Sequence, residues 1–213
     1  MLKRTKEEAA VTKGQLIDSA VKLFLQYGYS AVTLQQIADE IGVTRGAFYW
    51  HFRSKEEIMM AFCETERHYI EEKMTDLVMI KELPPYEHLK LFLNKVTDNF
   101  FDNRRYRNFV ELTWFKMEHV KTSDNVNYLK TVSNEYFIEA SRKIVSRGLR
   151  TGVFKKNTSA LNWAIHFAAV INGIYRLYFI TPKYMSKEKA MAIIAHLLVS
   201  IKNDGEPDTR TLS

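Results

Sequence analysis

The chain has 213 residues, with 31 Lys and Arg against 25 Asp and Glu and a formal net charge of +6. A hydrophobic content of 46%, with aromatic residues making up 13% of the chain, supplies a buried core and excludes a disordered or collagen-like chain. A lone cysteine, Cys63, excludes an intramolecular disulfide framework and a multi-cysteine zinc site, and it suits a reducing, cytoplasmic setting.

The first residues, Met1 to Glu8, begin with basic side chains but lead into no apolar run, so no secretory signal is expected. Leu16, Ile17, Ala20, Leu23 and Phe24 recur at helical steps, and Gly28 supplies a stop. Thr33-Leu-Gln-Gln36 predicts a capping box opening a short helix through Leu34, Ile37, Ala38 and Ile41, ended by Gly42. Thr44 predicts the cap of a second short helix with Phe48 and Phe52 facing inward. Ser54-Lys-Glu-Glu57 predicts a second capping box and a longer helix reaching towards Ile80.

Pro84-Pro85 breaks that run, and a helix restarts through Leu89, Phe92, Leu93, Val96 and Phe100. A further helical pattern spans Arg104 to Val120, and Lys121 to Asn125 reads as a loop. A long helix is predicted from about Val126 to Leu149, with Leu129, Val132, Tyr136, Phe137, Ile144 and Val145 inward. Two last helices are predicted from Thr158 to Phe179 and from Lys187 to Lys202. The apolar stretch Ala164 to Ile180 is expected to fall short of a membrane span, since His166, Asn172 and Arg176 interrupt it. The whole reads as an all-α protein of about nine helices, without strand signals: residues 1–54 a helix-turn-helix domain, 55–203 a second helical domain, and 204–213 a disordered tail.

Residues 33–52 have the spacing of a helix-turn-helix, in which the second helix enters the DNA major groove. Residues 1–55 carry eight Lys and Arg against five Asp and Glu, a surplus of three in about a quarter of the chain. Arg45 and Lys55 follow directly on the caps Thr44 and Ser54. A cation at a helix N-terminus opposes the dipole, by about 0.3–1 kcal/mol, unless an anion such as a DNA phosphate shares the site. At about 100° per residue, Ala47, Trp50 and His51 lie opposite the Phe48/Phe52 stripe, leaving aromatic side chains free to pack on a sugar-phosphate backbone.

The run Thr33-Leu34-x-x-Ile37-Ala38-x-x-Ile41-Gly42-Val43-Thr44-Arg45-Gly46-Ala47-Phe48-Tyr49-Trp50-His51-Phe52-Arg53-Ser54-Lys55 closely resembles the DNA-binding domain of the TetR family of bacterial transcription regulators, nearest to its AcrR branch of multidrug-efflux repressors. Ile17-Asp-Ser-Ala-x-x-Leu-Phe-x-x-x-Gly28 resembles that family's first helix. The resemblance is dense over residues 10–60; beyond them only the helical plan and the turn at Gly152-Val153-Phe154 are similar.

The resemblance implies a DNA site. Thr33 and Thr44 would cap helices and touch phosphates, while Tyr49, His51 and Lys55 would clamp the backbone, beside the outward Trp50. Arg45, Gly46 and Ala47 would face base edges, Arg45 by a bidentate fork to guanine, and Arg4 and Lys6, with Lys3, would form a basic arm. It also implies a homodimer on a palindromic operator in double-stranded DNA. Its interface would be a four-helix arrangement drawn from Ala168, Ala169, Ile171, Tyr178, Ala190, Ile194, Leu197, Leu198 and Ile201; periodicity alone reads these equally well as core. A pocket for a small lipophilic inducer is implied among the middle helices, with Phe92, Phe100, Trp114, Phe115, His119, Tyr136, Phe137, Asn172 and Tyr175 as candidates.

Enzyme readings find little support. The eight glycines make neither a phosphate loop nor a dinucleotide fingerprint, and no Gly-x-Ser-x-Gly or His-Glu-x-x-His occurs. No metal, cofactor or membrane association is expected, and Cys63 reads as a buried core thiol. The expected function is a ligand-released repressor of a multidrug-efflux or related transport operon. The alternatives are an activator or architectural DNA-binding protein of the same fold with no inducer, or a helical enzyme or adaptor.

Overall fold

A computed structural model describes residues 6–117, 124–157 and 159–203, those of 124–132 by their backbone alone. Among the described residues there are nine α-helices and no β-strand. They are α1 (Lys6–Tyr27), α2 (Leu34–Glu40), α3 (Arg45–His51), α4 (Lys55–Val78), α5 (Pro85–Asp102), α6 (Arg104–Glu111), α7 (Asp124–Arg150), α8 (Ala160–Ile180) and α9 (Lys187–Ile201). Lys3, Arg4, His119 and the tail from residue 204 lie outside the described residues, as do the side chains of Leu129 and Val132.

The chain divides into two compact units. One comprises residues 1–68 and 105–130, the other residues 69–104 and 131–213. In the first, α1 packs on α2 and α2 on α3. Leu16, Ala20, Phe24, Ile37, Phe48, Phe52, Ile58 and Phe62 are its deeply buried apolar side chains. From Leu16 to Phe52 these are the positions the three- and four-residue spacing selected, because one helical stripe must leave water for the segment to fold. Beyond α6, the chain widens into a π-helical turn, Leu112–Lys116, which packs against α1.

In the second unit, α5 and α9 lie along each other, with Leu89, Phe92, Leu93, Phe100, Ile194 and Ile201 fully buried. Phe100 stacks on Tyr175, ring centres 3.9 Å apart. The C-terminal end of α7 is closed by Phe154, whose ring lies against Gly148 so tightly that a Cβ there would approach it to 2.1 Å. His88 is buried where α4 ends: its Nε2 lies 2.7 Å from the Leu77 carbonyl and its Nδ1 2.9 Å from an Arg147 guanidinium nitrogen. Arg147 also donates to the carbonyls of Lys81 and Leu83, tying down the turn that follows α4.

Three sequence expectations are corrected. The 21-residue helix Ala160–Ile180 is long and apolar enough to cross a membrane by length and composition, because three polar residues are too few to dilute it. Its Trp163, Ala164, Phe167, Ile171, Ile174 and Tyr175 are nonetheless buried within the protein, so core packing accounts for one side of the apolar run, while Leu161, Ile165, Leu177 and Ile180 are exposed. The expected outer face of α8 and α9 is largely an inner one. Ala168, Ile171, Ala190, Ile194, Leu197, Leu198 and Ile201 are buried within the chain and leave little surface for a second molecule. The second capping box is also shifted by one residue. Ser54 Oγ accepts from the Glu57 amide at 3.1 Å, but the Glu57 carboxylate reaches past Ser54 to the Arg53 amide at 2.6 Å.

Candidate nucleic-acid interface

The helix-turn-helix is set by local chemistry. Thr33 Oγ1 accepts the Gln36 amide at 3.2 Å while Gln36 Oε1 accepts the Thr33 amide at 2.8 Å, so both halves of the box form. α2 ends where Gly42 takes φ +68°, a left-handed conformation that costs glycine nothing. There the Val43 amide returns to Ala38 O at 3.0 Å and the Gly42 amide to Asp39 O at 3.1 Å, satisfying two terminal carbonyls. Thr44 then caps α3 by accepting the Ala47 amide at 3.2 Å.

α3 has one buried side chain, Phe48, which is 1% exposed. Phe52 is buried just beyond the helix end. The opposite face meets solvent: Trp50 is 72% exposed and Tyr49 is 42% exposed. Arg45 lies along Tyr49, its guanidinium carbon 5.4 Å from the ring centre and one nitrogen 3.3 Å from the hydroxyl. His51 meets the Trp50 ring edge-to-face at 4.6 Å. An outward guanidinium held by an aromatic ring, beside a large exposed indole, is a surface suited to base edges and phosphates, not to solvent alone.

Gly46 fits this reading. It has no left-handed backbone, and a Cβ on it would meet nothing closer than Thr44 Oγ1 at 4.0 Å. The fold therefore does not require glycine there, and the bare backbone leaves room for an outside surface. Ala47, also small and half-buried, adjoins that shallow patch.

Lys55 is placed differently from a free clamp. Its ammonium donates to the carbonyls of Tyr29 at 2.8 Å and Ser30 at 3.3 Å, and it sits 4.8 Å from the Tyr29 ring centre. Partial burial holds its pKa below the usual lysine value. Tyr29, desolvated in the same corner, has its phenol pushed up to about 12. The α1–α2 loop is thereby fastened to the start of α4. Lys6, in the first turn of α1, is exposed.

The candidate ligand residues fall in both units. Trp114 and Phe115 belong to the first, in the π-helical turn, partly exposed. In the second, Phe92, Phe100, Phe137 and Tyr175 are buried. Tyr136 bonds to Thr75 Oγ1, and Asn172 Nδ2 donates to Asn134 Oδ1 at 3.1 Å. Trp163, an aromatic of the same region left out of the candidates, has a buried indole N–H with no hydrogen-bond partner among the described residues. Among the described residues no group of three or more His, Cys, Asp or Glu is placed to hold a metal ion.

Residues 16–62 match the profile described as bacterial regulatory proteins, tetR family. The chain is a member of the TetR family. Over 189 residues it is 28% identical to the transcriptional regulator TtgR of Pseudomonas putida, covering 85% of this chain and 87% of that protein. Its fold is similar to that of NalD, described as the secondary repressor of the MexAB-OprM multidrug efflux pump in Pseudomonas aeruginosa, with a TM-score of 0.77, 19% identity and coverage of 94% and 100% of the two chains. SmeT in complex with triclosan is similar at a TM-score of 0.78 and 19% identity, over 93% and 96% of the chains. SmeT is described as the repressor of the Stenotrophomonas maltophilia multidrug efflux pump SmeDEF. As a TetR-family protein, the chain is a transcription regulator, and α3 lies within the matched segment.

Proposed function

We propose that this TetR-family regulator is a cytoplasmic, homodimeric repressor that holds a palindromic operator of a multidrug-efflux or related transport operon and is released by a small lipophilic inducer. The observation that carries the reading is the solvent-facing side of α3, where Arg45, Gly46, Tyr49 and Trp50 are exposed, with Ala47 half-buried beside them, over the buried Phe48. Arg45, Gly46 and Ala47 contact base edges; Thr33, Thr44, Tyr49, Trp50, His51 and Lys55 contact or organise the backbone, and the Arg4/Lys6 arm adds phosphate contacts. The efflux assignment rests on likeness to NalD and SmeT, and the inducer class on the triclosan bound to SmeT.

One recognition helix reads too few base pairs for specificity, so two copies must act together. Their contact is drawn from the outward apolar side chains of α8 and α9, not the buried ones. Ile165, Ala169 and Ile180 on α8, with Ile193 and Val199 on α9, are exposed. Ala169 and Gly173 are small, and a Cβ on Gly173 would meet nothing within 4 Å, so another helix can approach closely.

Release follows if inducer and operator prefer different spacings of the two recognition helices. The unbroken helix Lys55–Val78 supports transmission along α4, because it contributes residues to both units. The test is fluorescence anisotropy on a duplex selected by the wild-type protein from random DNA, titrated with triclosan, lipophilic cations, dyes and bile-type compounds. Release by at least one compound, with a matching rise in melting temperature of the free protein, agrees with the reading. Retention of DNA against the whole set would favour the inducer-free alternative. Identical recognition-helix separations in ligand-bound and DNA-bound crystals would overturn the α4 route.

A further inference from the structure

We propose that Arg105, at the start of α6, is a positioning residue for operator recognition: one guanidinium sets the seat of α1 on α4 and thereby the aim of α3. This rests on the DNA-reading function above and goes beyond it by naming what holds the reader in place.

Arg105 is the second residue of α6, and three helices of the first unit converge on it. Its Nε donates to Glu66 Oε1 on α4, and its NH1 lies 3.4 Å from Asp18 Oδ1 on α1. Its guanidinium carbon lies 5.6 Å from the centre of the Phe62 ring, also on α4. The Glu66 side chain is 2% exposed, so a carboxylate has been drawn out of water between the helices. Burial pushes its pKa up, and the Arg105 guanidinium pulls against that.

A buried ion pair of this kind gains little stability over well-packed apolar side chains, because desolvation offsets the attraction. What it does impose is geometry. The guanidinium is a rigid planar fork, and satisfying Glu66 with one nitrogen directs another at Asp18. Asp18 is largely exposed, so its arm of the fork contributes direction more than energy.

From α1 the constraint passes to the reader through direct contacts. Ser19 Oγ donates to Ile37 O at 3.3 Å and Lys22 pairs with Glu40 at 2.5 Å, fixing α1 to α2. The Gly42 turn then fixes α2 to α3. The π-helical turn Leu112–Lys116 also packs on α1, so the segment that begins at Arg105 meets α1 twice. Losing the fork leaves the helices packed but frees the tilt of α1 on α4.

The experiment replaces the pair with apolar side chains, Glu66→Met with Arg105→Met in one full-length variant, and measures melting temperature and binding to the duplex selected by the wild type and to a scrambled duplex. The expected result is a melting temperature within a few degrees of wild type, unchanged scrambled-DNA binding, and selected-DNA affinity at least tenfold weaker. Selected-DNA affinity within twofold of wild type in a folded double variant would overturn the proposal. If that variant does not fold, Arg105→Lys decides: it keeps a cation beside Glu66 but loses the fork. Threefold or greater weakening on selected DNA alone, at unchanged melting temperature, supports the proposal; no change overturns it. Should the wild type select no sequence at all, the DNA-reading function itself fails, a different result from either.

Discussion

The Lys55 ammonium donates to the Tyr29 carbonyl oxygen at 2.8 Å and lies 4.8 Å from the centre of the Tyr29 ring. A residue placed at a helix start as if for phosphate is thus also an internal fastener, joining the α1–α2 loop to α4. Two carbonyl acceptors and an aromatic face together hold the cation where the helix dipole alone would disfavour it.

Lys55→Ala is therefore expected to cost stability as well as DNA affinity. Hydrogen bonds from a charged donor contribute about 1.5–3 kcal/mol each when well formed, and less where water competes. A loss of about 1–2 kcal/mol in chemical denaturation is the expected outcome. An unchanged unfolding midpoint would show that the Tyr29 and Ser30 contacts do not matter in solution.

Arg45→Ala should behave in the opposite way. Among the described residues its guanidinium meets Tyr49, on the exposed face of α3. Stability should stay close to wild type, while discrimination at one base pair of each half-site relaxes by about 1–3 kcal/mol. Competition binding across single-base variants of the selected duplex measures this. Uniform weakening at every variant would instead make Arg45 a phosphate contact.

Gly46→Ala separates folding from reading at a single methyl group. The site has open space in the chain and an ordinary helical backbone, and alanine is the better helix former by about 0.5–1 kcal/mol. The variant should melt at or above the wild-type temperature yet bind the selected duplex more weakly, because its Cβ occupies the space of close approach. Equal or tighter DNA binding would remove Gly46 from the interface.

Acid sensitivity should trace partly to His88. Burial, aided by the Arg147 charge, holds its imidazole below the usual value, against the opposing bond to Leu77 O. The folded protein thus takes up this proton less readily than the unfolded chain. Its contribution is complete above about pH 6.5 and is lost as pH falls through the lower folded value. Glu66 works with opposite sign: its raised carboxyl pKa favours the fold below the ordinary carboxylate value, and that gain fades as pH rises through the raised one. Melting temperature followed from neutral pH to about 5 should therefore fall more steeply for wild type than for His88→Gln. Parallel slopes would exclude His88 as the titrating group.

What could be read in the sequence was what local chemistry decides. The Thr33/Gln36 box, the Thr44 cap and the Gly42 turn each depend on residues within five positions of one another, and all three form. The seat of Lys55 on Tyr29 joins residues 26 apart, and the Arg105–Asp18 contact joins residues 87 apart; no periodicity carries such information. The faces of α8 and α9 failed for another reason. Both helices are apolar on two sides, so the helical period is clear but not which side turns inward: Ile194 is buried and its neighbour Ile193 is exposed. The split of the Ser54 box arose because Glu57 found the Arg53 amide, one residue beyond the pattern.

The central claim is that α3 reads sequence, and selection of duplexes from random DNA followed by paired affinity measurements at one fixed salt concentration tests it most directly. The account predicts enrichment of a single palindromic motif, bound at least about 10³-fold more tightly than a scrambled duplex at physiological salt. Enrichment of no motif, with selected and scrambled duplexes bound equally, would contradict it.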